Sequence, residues 1–311
     1  MNDFFTTSII IATLASGIRL AVPFLLAALG ETVGQRAGVL NLGVEGVMLI
    51  GAFAAYYTAL ETGSASLGLL LGLVVGAVMG SLYAFITVVM HAEQGISGIG
   101  IYLFGLGFTD LLFQKQVGTP IPIRGLQTKP LNWLAEDTSH VGELLFSHTV
   151  LTYVAFLLVP VVYWVITRTT FGLNVRAVGE NPQAADTLGV SVNRIRTTAI
   201  IIGNTMAGLA GAALALEIGI FQQNLTAGRG FIAIALVYFG AWRPARVMAG
   251  SLLFGVVSAT VLQLQVQDVI SGSVSSIANM APAVLTVIVL VVVSRRIGQP
   301  AALTRPFTRD G

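Results

Sequence analysis

Long uninterrupted apolar runs restrict the fold of this sequence more than any other feature. The runs Leu67–Met90 and Ala281–Val293 contain no charged residue, and only 10% of all 311 residues are charged, against roughly 25% in soluble domains. A helix satisfies its backbone hydrogen bonds within one such run, whereas a β-barrel would need strands of alternating polarity. The sequence therefore predicts an all-α integral membrane protein.

A transmembrane helix needs roughly 20 mainly apolar residues. On that criterion, residues 1–311 form a single transmembrane domain, a helical bundle of about nine spans. The seventh run is short for a span, so a broken or re-entrant helix is expected there. The nine runs lie near residues 7–30, 38–60, 66–90, 95–114, 148–167, 197–217, 230–242, 246–265 and 279–294.

Three polar segments separate or follow the spans, and their basic residues predict the orientation. They are the loops 115–147 and 168–196 and the tail 297–311, in which Pro300 and Pro306 predict flexibility. Eleven basic residues fall on one side of the membrane and four on the other, and cytoplasmic loops carry the excess. This places loop 168–196 and the C-terminus in the cytoplasm and the N-terminus outside. The eleven are Arg36, Arg168, Arg176, Arg194, Arg196, Arg243, Arg246, Arg295, Arg296, Arg305 and Arg309; the four are Lys115, Arg124, Lys129 and Arg229.

Glycine and cysteine usage adds two further expectations. The third run repeats glycine every fourth residue, at Gly68, Gly72, Gly76 and Gly80. This spacing predicts a face on which another helix packs closely, because small residues let backbones approach in lipid. The chain has no cysteine, which excludes disulfides and thiolate metal sites, and its net charge of +2 is small for a nucleic-acid partner.

The loop between the fifth and sixth runs carries helix-boundary signals. Asn181 suits an N-cap and Pro182 suits the first helical turn. Ala184, Ala185 and Leu188 continue a short helix, which Gly189 ends. Ser191 is then expected to cap the next helix. The spacing alone leaves two interpretations open, a docking surface for a cytoplasmic partner or an ordinary solvated loop.

The run from Gly179 to Val190, GENPQAADTLGV, resembles the coupling segment of permease subunits in ATP-binding-cassette (ABC) importers of the ribose/simple-sugar and branched-chain amino-acid type. The run from Glu31 to Gly46 resembles the amino-terminal signature of the nucleoside-uptake branch, and the run from Gly228 to Leu236 resembles a segment before the seventh span. The resemblance covers nearly the whole chain. Sugar permeases of this family commonly begin with one more helix, and its absence is typical of the nucleoside branch.

The resemblance implies a multi-pass subunit of a bacterial plasma membrane that imports a small polar solute, with nucleosides first and simple sugars next. Cytoplasmic ATPase subunits would bind ATP and Mg²⁺, and the sequence has no P-loop motif. The other implied partners are a second permease copy or paralogue, an extracytoplasmic solute-binding protein and membrane lipid. The residues implied in ATPase coupling are Gly179, Glu180, Asn181, Pro182, Ala184, Ala185, Leu188 and Gly189.

Four polar residues within spans are candidates for the translocation pathway: Arg19, Asn41, Glu45 and Asn204. Polar side chains are costly in a bilayer and often functional. Glu45 is alternatively a structural ion pair with Arg19 or Arg36. Asn41 and Asn204 can bind either solute or a neighbouring helix.

Two other classes of function remain as alternatives. An ion-coupled secondary transporter would use broken helices in internal repeats, and GVLNLGVEG and GRGFIAIALVYFG are the only candidate pair. A membrane enzyme is disfavoured, because the three histidines lack metal-ligand spacing and no nucleophile-elbow motif is present.

Overall fold

The computed structural model describes residues 7–126, 129–131, 139–267, 269–270, 272–293 and 298–308. Within these ranges the regular structure is helical, which confirms the all-α prediction. Arg295, Arg296 and Arg309, three of the eleven basic residues used to predict the orientation, lie outside the described residues. The helices are α1 Thr7–Arg36, α2 Val44–Thr62, α3 Ala65–Ala84, α4 Gln94–Gln116, α5 Ser139–Phe146, α6 Val150–Arg168, α7 Thr170–Glu180, α8 Pro182–Thr187, α9 Val192–Ile218, α10 Arg229–Phe239, α11 Pro244–Val266, α12 Gly272–Ala278 and α13 Ala281–Val293.

Six of the described helices are long and apolar enough to cross a membrane, so the predicted count of nine spans is not supported. The six are α1, α3 with its π-helical continuation Phe85–Val89, α4, α6, α9 and α11. The helix α2 is 19 residues long, but Glu45 and Glu61 make it less apolar. The helices α10 and α13 are short. The 11 residues of α10 rise about 16 Å at 1.5 Å each, roughly half of a bilayer core.

The core lies where α1, α2 and α9 meet. The helix α9 packs against α3, α2 and α1, and α1 also packs along α11. The C-terminal halves of α1 and α9 are buried almost continuously. These helices therefore form the centre of the bundle, and α3, α4 and α6 present apolar side chains on their outward faces.

Close backbone approach holds the central helices together. Gly68 faces the backbone of Ala55 in α2, and Gly76 and Gly80 face Asn204 in α9. This confirms the predicted glycine face of α3. The helices α2 and α9 also approach closely at Gly211, where a Cβ atom would overlap the carbonyl oxygen of Met48.

The start of α2 differs from the predicted one, whereas the start of α4 lies within one residue of it. The second span was expected from residue 38, but α2 begins at Val44, because Gly38 has a φ of 85° and residues 37–43 form a turn. The helix α4 begins after Glu93, whose carboxylate accepts hydrogen bonds from the backbone N–H groups of Ile96 and Gly95 at 2.5 and 2.9 Å. These hydrogen bonds hold the pKa of Glu93 below its usual value.

Candidate functional site

The short helix α8 forms as the sequence predicted. The Asn181 Oδ1 atom accepts a hydrogen bond from the Ala184 N–H at 3.0 Å, and Pro182 occupies the first turn. The helix ends where Gly189 adopts a φ of 85° and the Val190 N–H donates to the Ala185 carbonyl at 3.0 Å. Ser191 precedes α9, but its side chain makes no capping hydrogen bond, contrary to the prediction.

The helix α8 has one buried face and one exposed face. Ala185 and Pro182 are buried, and Ala185 packs with Val178 and Val192. On the other side Ala184 is exposed and Leu188 is 84% exposed. A large apolar side chain thus projects from a polar loop.

The coupling segment, defined here as residues 179–190, is attached to the end of α1. A Cβ atom at Gly179 would overlap the carbonyl oxygen of Arg36, so glycine permits this contact. Glu180 is exposed, and its carboxylate accepts a hydrogen bond from the Ala301 N–H at 3.4 Å. The segment and the last turn of α1 are therefore held together.

The C-terminal tail, for which the sequence predicted flexibility, packs beneath the coupling segment over residues 298–308. The Ala302 N–H donates to the Gly179 carbonyl at 2.9 Å, and the Thr304 N–H donates to the Gly38 carbonyl at 3.3 Å. Phe307 is buried against Val178, Ala185 and Val192. The tail is held by these contacts with three distant parts of the chain, which its proline content does not reveal.

Arg196 also contacts the tail. Its side chain is 3% exposed, and its Nη1 donates to the Arg305 carbonyl at 2.9 Å. Its Nε and Nη2 atoms have no hydrogen-bond partner among the described residues. Arg196 therefore joins the first turns of α9 to the tail rather than facing solvent.

A groove of about 490 Å³ opens between the coupling segment and the tail. Its walls come from the turn after α3, from the connection between α8 and α9, and from the tail. Its lining residues are His91, Asp186, Gly189, Val190, Ser191, Val192, Asn193, Phe307 and Thr308.

Glu45 binds the N-terminus of α10. Its Oε1 accepts hydrogen bonds from Thr226 Oγ1 at 2.6 Å and from the Gly228 N–H at 2.7 Å, and its Oε2 accepts one from the Gly230 N–H at 2.5 Å. The side chain is 1% exposed. Its charge is thus matched by unpaired donors of a helix start, and its hydrogen-bond partners are not Arg19 or Arg36.

Asn41 and Asn204 are brought together by the fold. Asn41 Nδ2 donates to Asn204 Oδ1 at 2.9 Å, and both side chains are buried. The remaining amide groups bind the Gly43 N–H and the Ile200 carbonyl. The contact connects the α1–α2 turn to α9, and it favours the helix-linking interpretation over solute binding.

Arg19 lies apart from the other three candidates. Its Nη2 donates to Ser16 Oγ at 3.0 Å, and it lines a cleft of about 310 Å³ with Glu217 and Lys129. His148 lies nearby, with Nε2 donating to the Leu144 carbonyl at 2.8 Å, and its burial lowers its pKa. Arg19 thus belongs to a charged cleft at the end of the bundle opposite the coupling segment.

Sequence reasoning missed a buried polar chain at the C-terminal end of α1. Gln35 Nε2 donates to the Glu31 carboxylate at 3.3 Å, and Trp242 Nε1 donates to Gln35 Oε1 at 3.0 Å. Arg36 donates to the Trp242 carbonyl at 3.2 Å. The position of Glu31 near the end of an apolar run was the available signal.

Among the residues the structure describes, no cluster of three or more acidic or histidine side chains could hold a metal.

Comparison with known proteins gives consistent similarities. Residues 13–293 match the family described as branched-chain amino acid transport system / permease component. The chain is 36% identical to the putative glucose ABC transporter permease protein TsgC13 of Haloferax volcanii, over 94% of this chain and 96% of that protein. It is 34% identical to the nucleoside ABC transporter permease protein NupC of Lactococcus lactis, over 93% of each. It is 32% identical to the guanosine ABC transporter permease protein NupQ of Bacillus subtilis, over 93% and 94%. No solved structure matches.

Proposed function

Because this chain belongs to the family of branched-chain amino acid transport system permease components, we propose that it is the membrane subunit of an ABC importer for nucleosides. Separate ATPase subunits supply the energy, and an extracytoplasmic binding protein delivers the solute. Two relatives named as nucleoside and guanosine permeases support the solute class. The relative named as a putative glucose permease keeps simple sugars as the second candidate.

The observation that carries the proposal is the geometry of the coupling segment. A six-residue helix is too short to be stable alone, yet α8 is fixed by Ala185 on one side and projects Leu188 on the other. A helix held in this way moves as a rigid lever. Closure of an ATPase dimer against Leu188 would reach α1 through Gly179 and α9 through Val192.

The solute pathway lies between this chain and a second permease copy or paralogue. Asn41, Glu45 and Asn204 are occupied by contacts within the fold, so they support helix positions rather than bind solute. The face of α4 that points away from α2 carries Phe104 and Phe108, stacked at 5.2 Å and 50% and 38% exposed. Exposed aromatic rings suit stacking against a nucleobase.

The proposed orientation places the N-terminus outside and the C-terminus in the cytoplasm of a bacterial plasma membrane. Arg36, Arg196 and Arg305 lie at the same end as the coupling segment, and Lys129 lies with the opposite cleft. Positive residues mark the cytoplasmic side.

The test is uptake by proteoliposomes that contain the permease, its ATPase and its binding protein. Uptake should require ATP, and thermal shifts of the binding protein should be larger with nucleosides than with sugars. Uptake by the purified chain alone, driven by an ion gradient, would instead establish the secondary-transporter alternative. Larger shifts with sugars would assign the glucose-like solute.

A further inference from the structure

We propose that the tail at residues 298–308 is part of the surface that binds the ATPase, and that the groove between the tail and the coupling segment receives a polar segment of that subunit. The inference rests on the proposed function and extends it. The coupling segment then supplies one wall of the docking surface, and the tail supplies the other.

The groove is continuous with the coupling segment. Gly189, Val190 and Ser191, which directly follow the exposed Leu188, form one wall of the groove, and Phe307 and Thr308 form the opposite wall. A partner that covers Leu188 therefore also meets the mouth of the groove. Its volume of about 490 Å³ matches that of a ligand pocket, roughly 300–1,000 Å³.

The walls of the groove are mainly polar. Five of the nine lining residues are polar, namely His91, Asp186, Ser191, Asn193 and Thr308, which suits a peptide better than a lipid chain. Outside the lining, exposed Arg194 directly follows Asn193, and exposed Arg305 lies two residues before Phe307. A partner that combines a polar segment with an apolar pocket for Leu188, and that carries carboxylates for these arginines, is complementary to this pattern.

The tail is attached to the coupling segment. The hydrogen bonds from Ala302 to Gly179 and from Arg196 to the Arg305 carbonyl fix its backbone. The side chain of Arg305 remains exposed, so its charge is available to a partner while its carbonyl is used internally. The tail thus presents this charge on a backbone that is held against the coupling segment and α9.

The chain contains no cysteine, so single cysteines can be attached to a benzophenone crosslinker without background. Three complexes in nanodiscs would each carry one cysteine. The positions are Thr308→Cys in the groove, Leu188→Cys directly after α8, and Val78→Cys on the outward face of α3. We expect light to join both Thr308→Cys and Leu188→Cys to the ATPase and to leave Val78→Cys unjoined. A crosslink from Leu188→Cys but not from Thr308→Cys overturns the role of the tail and leaves the proposed function intact. If neither position crosslinks, the docking site in the proposed function fails as well.

A charge reversal gives an independent test. Arg305→Glu should weaken ATPase binding to the reconstituted permease about tenfold, a change of about 1.4 kcal/mol, without changing thermal stability. The matched control is Lys115→Glu, an equal change of charge at the C-terminal end of α4. The N-terminal end of α4 is the one next to the groove residue His91, so this control should leave ATPase binding unaltered. Equal ATPase affinity of Arg305→Glu and the unmodified chain would refute the proposal, as would a Thr308→Cys crosslink that reaches only lipid or the second permease.

Discussion

Asn41 and Asn204 form a direct hydrogen bond at 2.9 Å although 163 residues separate them in the chain. Each amide is also bonded to the backbone near its own position. The pair therefore fixes the α1–α2 turn against the middle of α9, at the point where Gly76 and Gly80 of α3 also meet that helix.

The two single replacements in this pair should together cost more stability than the double replacement. Asn41→Ala and Asn204→Ala each leave a buried amide without its partner, and we expect each to lower the free energy of unfolding by about 1–3 kcal/mol. The double variant should lose less than the sum of the single changes. Thermal unfolding of the four proteins in detergent measures the coupling, and strict additivity would exclude an interaction.

Glu45→Gln should reduce stability and transport together. The amide retains one acceptor oxygen but directs an NH₂ group at the donors of Thr226, Gly228 or Gly230, and the loss of hydrogen bonds to a charged group costs about 1.5–3 kcal/mol. We expect a lower unfolding temperature and a lower maximal uptake rate, with an unchanged solute KM. Glu61→Gln, at an exposed position on the same helix, is the control. A changed KM with normal stability would assign Glu45 to the solute pathway instead.

Gly211→Ala should separate α2 from α9. The added Cβ would overlap the Met48 carbonyl, and overpacking of this kind costs about 1–3 kcal/mol. Gly100→Ala is the control, because that helical position in α4 has open space around it and alanine favours a helix by up to ~1 kcal/mol. We expect the unfolding temperature to fall for Gly211→Ala and to stay the same or rise for Gly100→Ala. Equal unfolding temperatures of the two variants would contradict the close contact.

Leu188→Glu should abolish ATP-dependent uptake while leaving membrane insertion and thermal stability normal. The side chain is 84% exposed and makes no core contact that a charge would disrupt, so any loss arises from docking. Leu188→Met keeps an apolar side chain and should retain most of the uptake. Normal uptake by Leu188→Glu would show that the exposed face of α8 does not bind the ATPase.

The cap of α4 should make stability depend on pH through Glu93. Hydrogen bonds from Ile96 and Gly95 lower its pKa in the folded chain below the usual value of 4.5. Its stabilising effect is therefore present above pH 4.5 and is lost as the pH falls through the lower folded-state pKa. We expect Glu93→Gln to unfold at a lower temperature than the unmodified chain at pH 7, and the difference to shrink below pH 4. A constant difference at both pH values would rule out the charged cap.

Local sequence signals predicted the coupling segment because its structure depends on neighbouring residues. Asn181 accepts a hydrogen bond from the N–H of Ala184, three residues further along the chain. Gly189 follows the end of the same helix and adopts a positive φ. The glycine face of α3 was predictable for the same reason, since its four-residue spacing is a property of one helix. Boundaries failed where a turn replaced regular helix, as at Gly38.

Contacts between distant segments could not be predicted from spacing. Glu45 was interpreted either as a pathway residue or as an ion pair with Arg19 or Arg36, but its partners lie more than 180 residues away at the start of α10. A carboxylate in an apolar run indicates that it needs hydrogen-bond donors, but not which ones. Backbone N–H groups occur in nearly every residue, so the sequence does not show which of them will be the partners. The contacts of the tail were missed similarly, because Phe307 is buried only once Val178 and Val192 are in place.

The position of residues 298–308 also affects biogenesis. These residues follow every described helix in the chain, so they leave the ribosome after α1, α8 and α9 have been made. The cluster around Ala185 and Phe307 therefore closes only late in synthesis. A partner that needs this cluster to be complete would therefore bind only the finished chain, and not one that is still being synthesised.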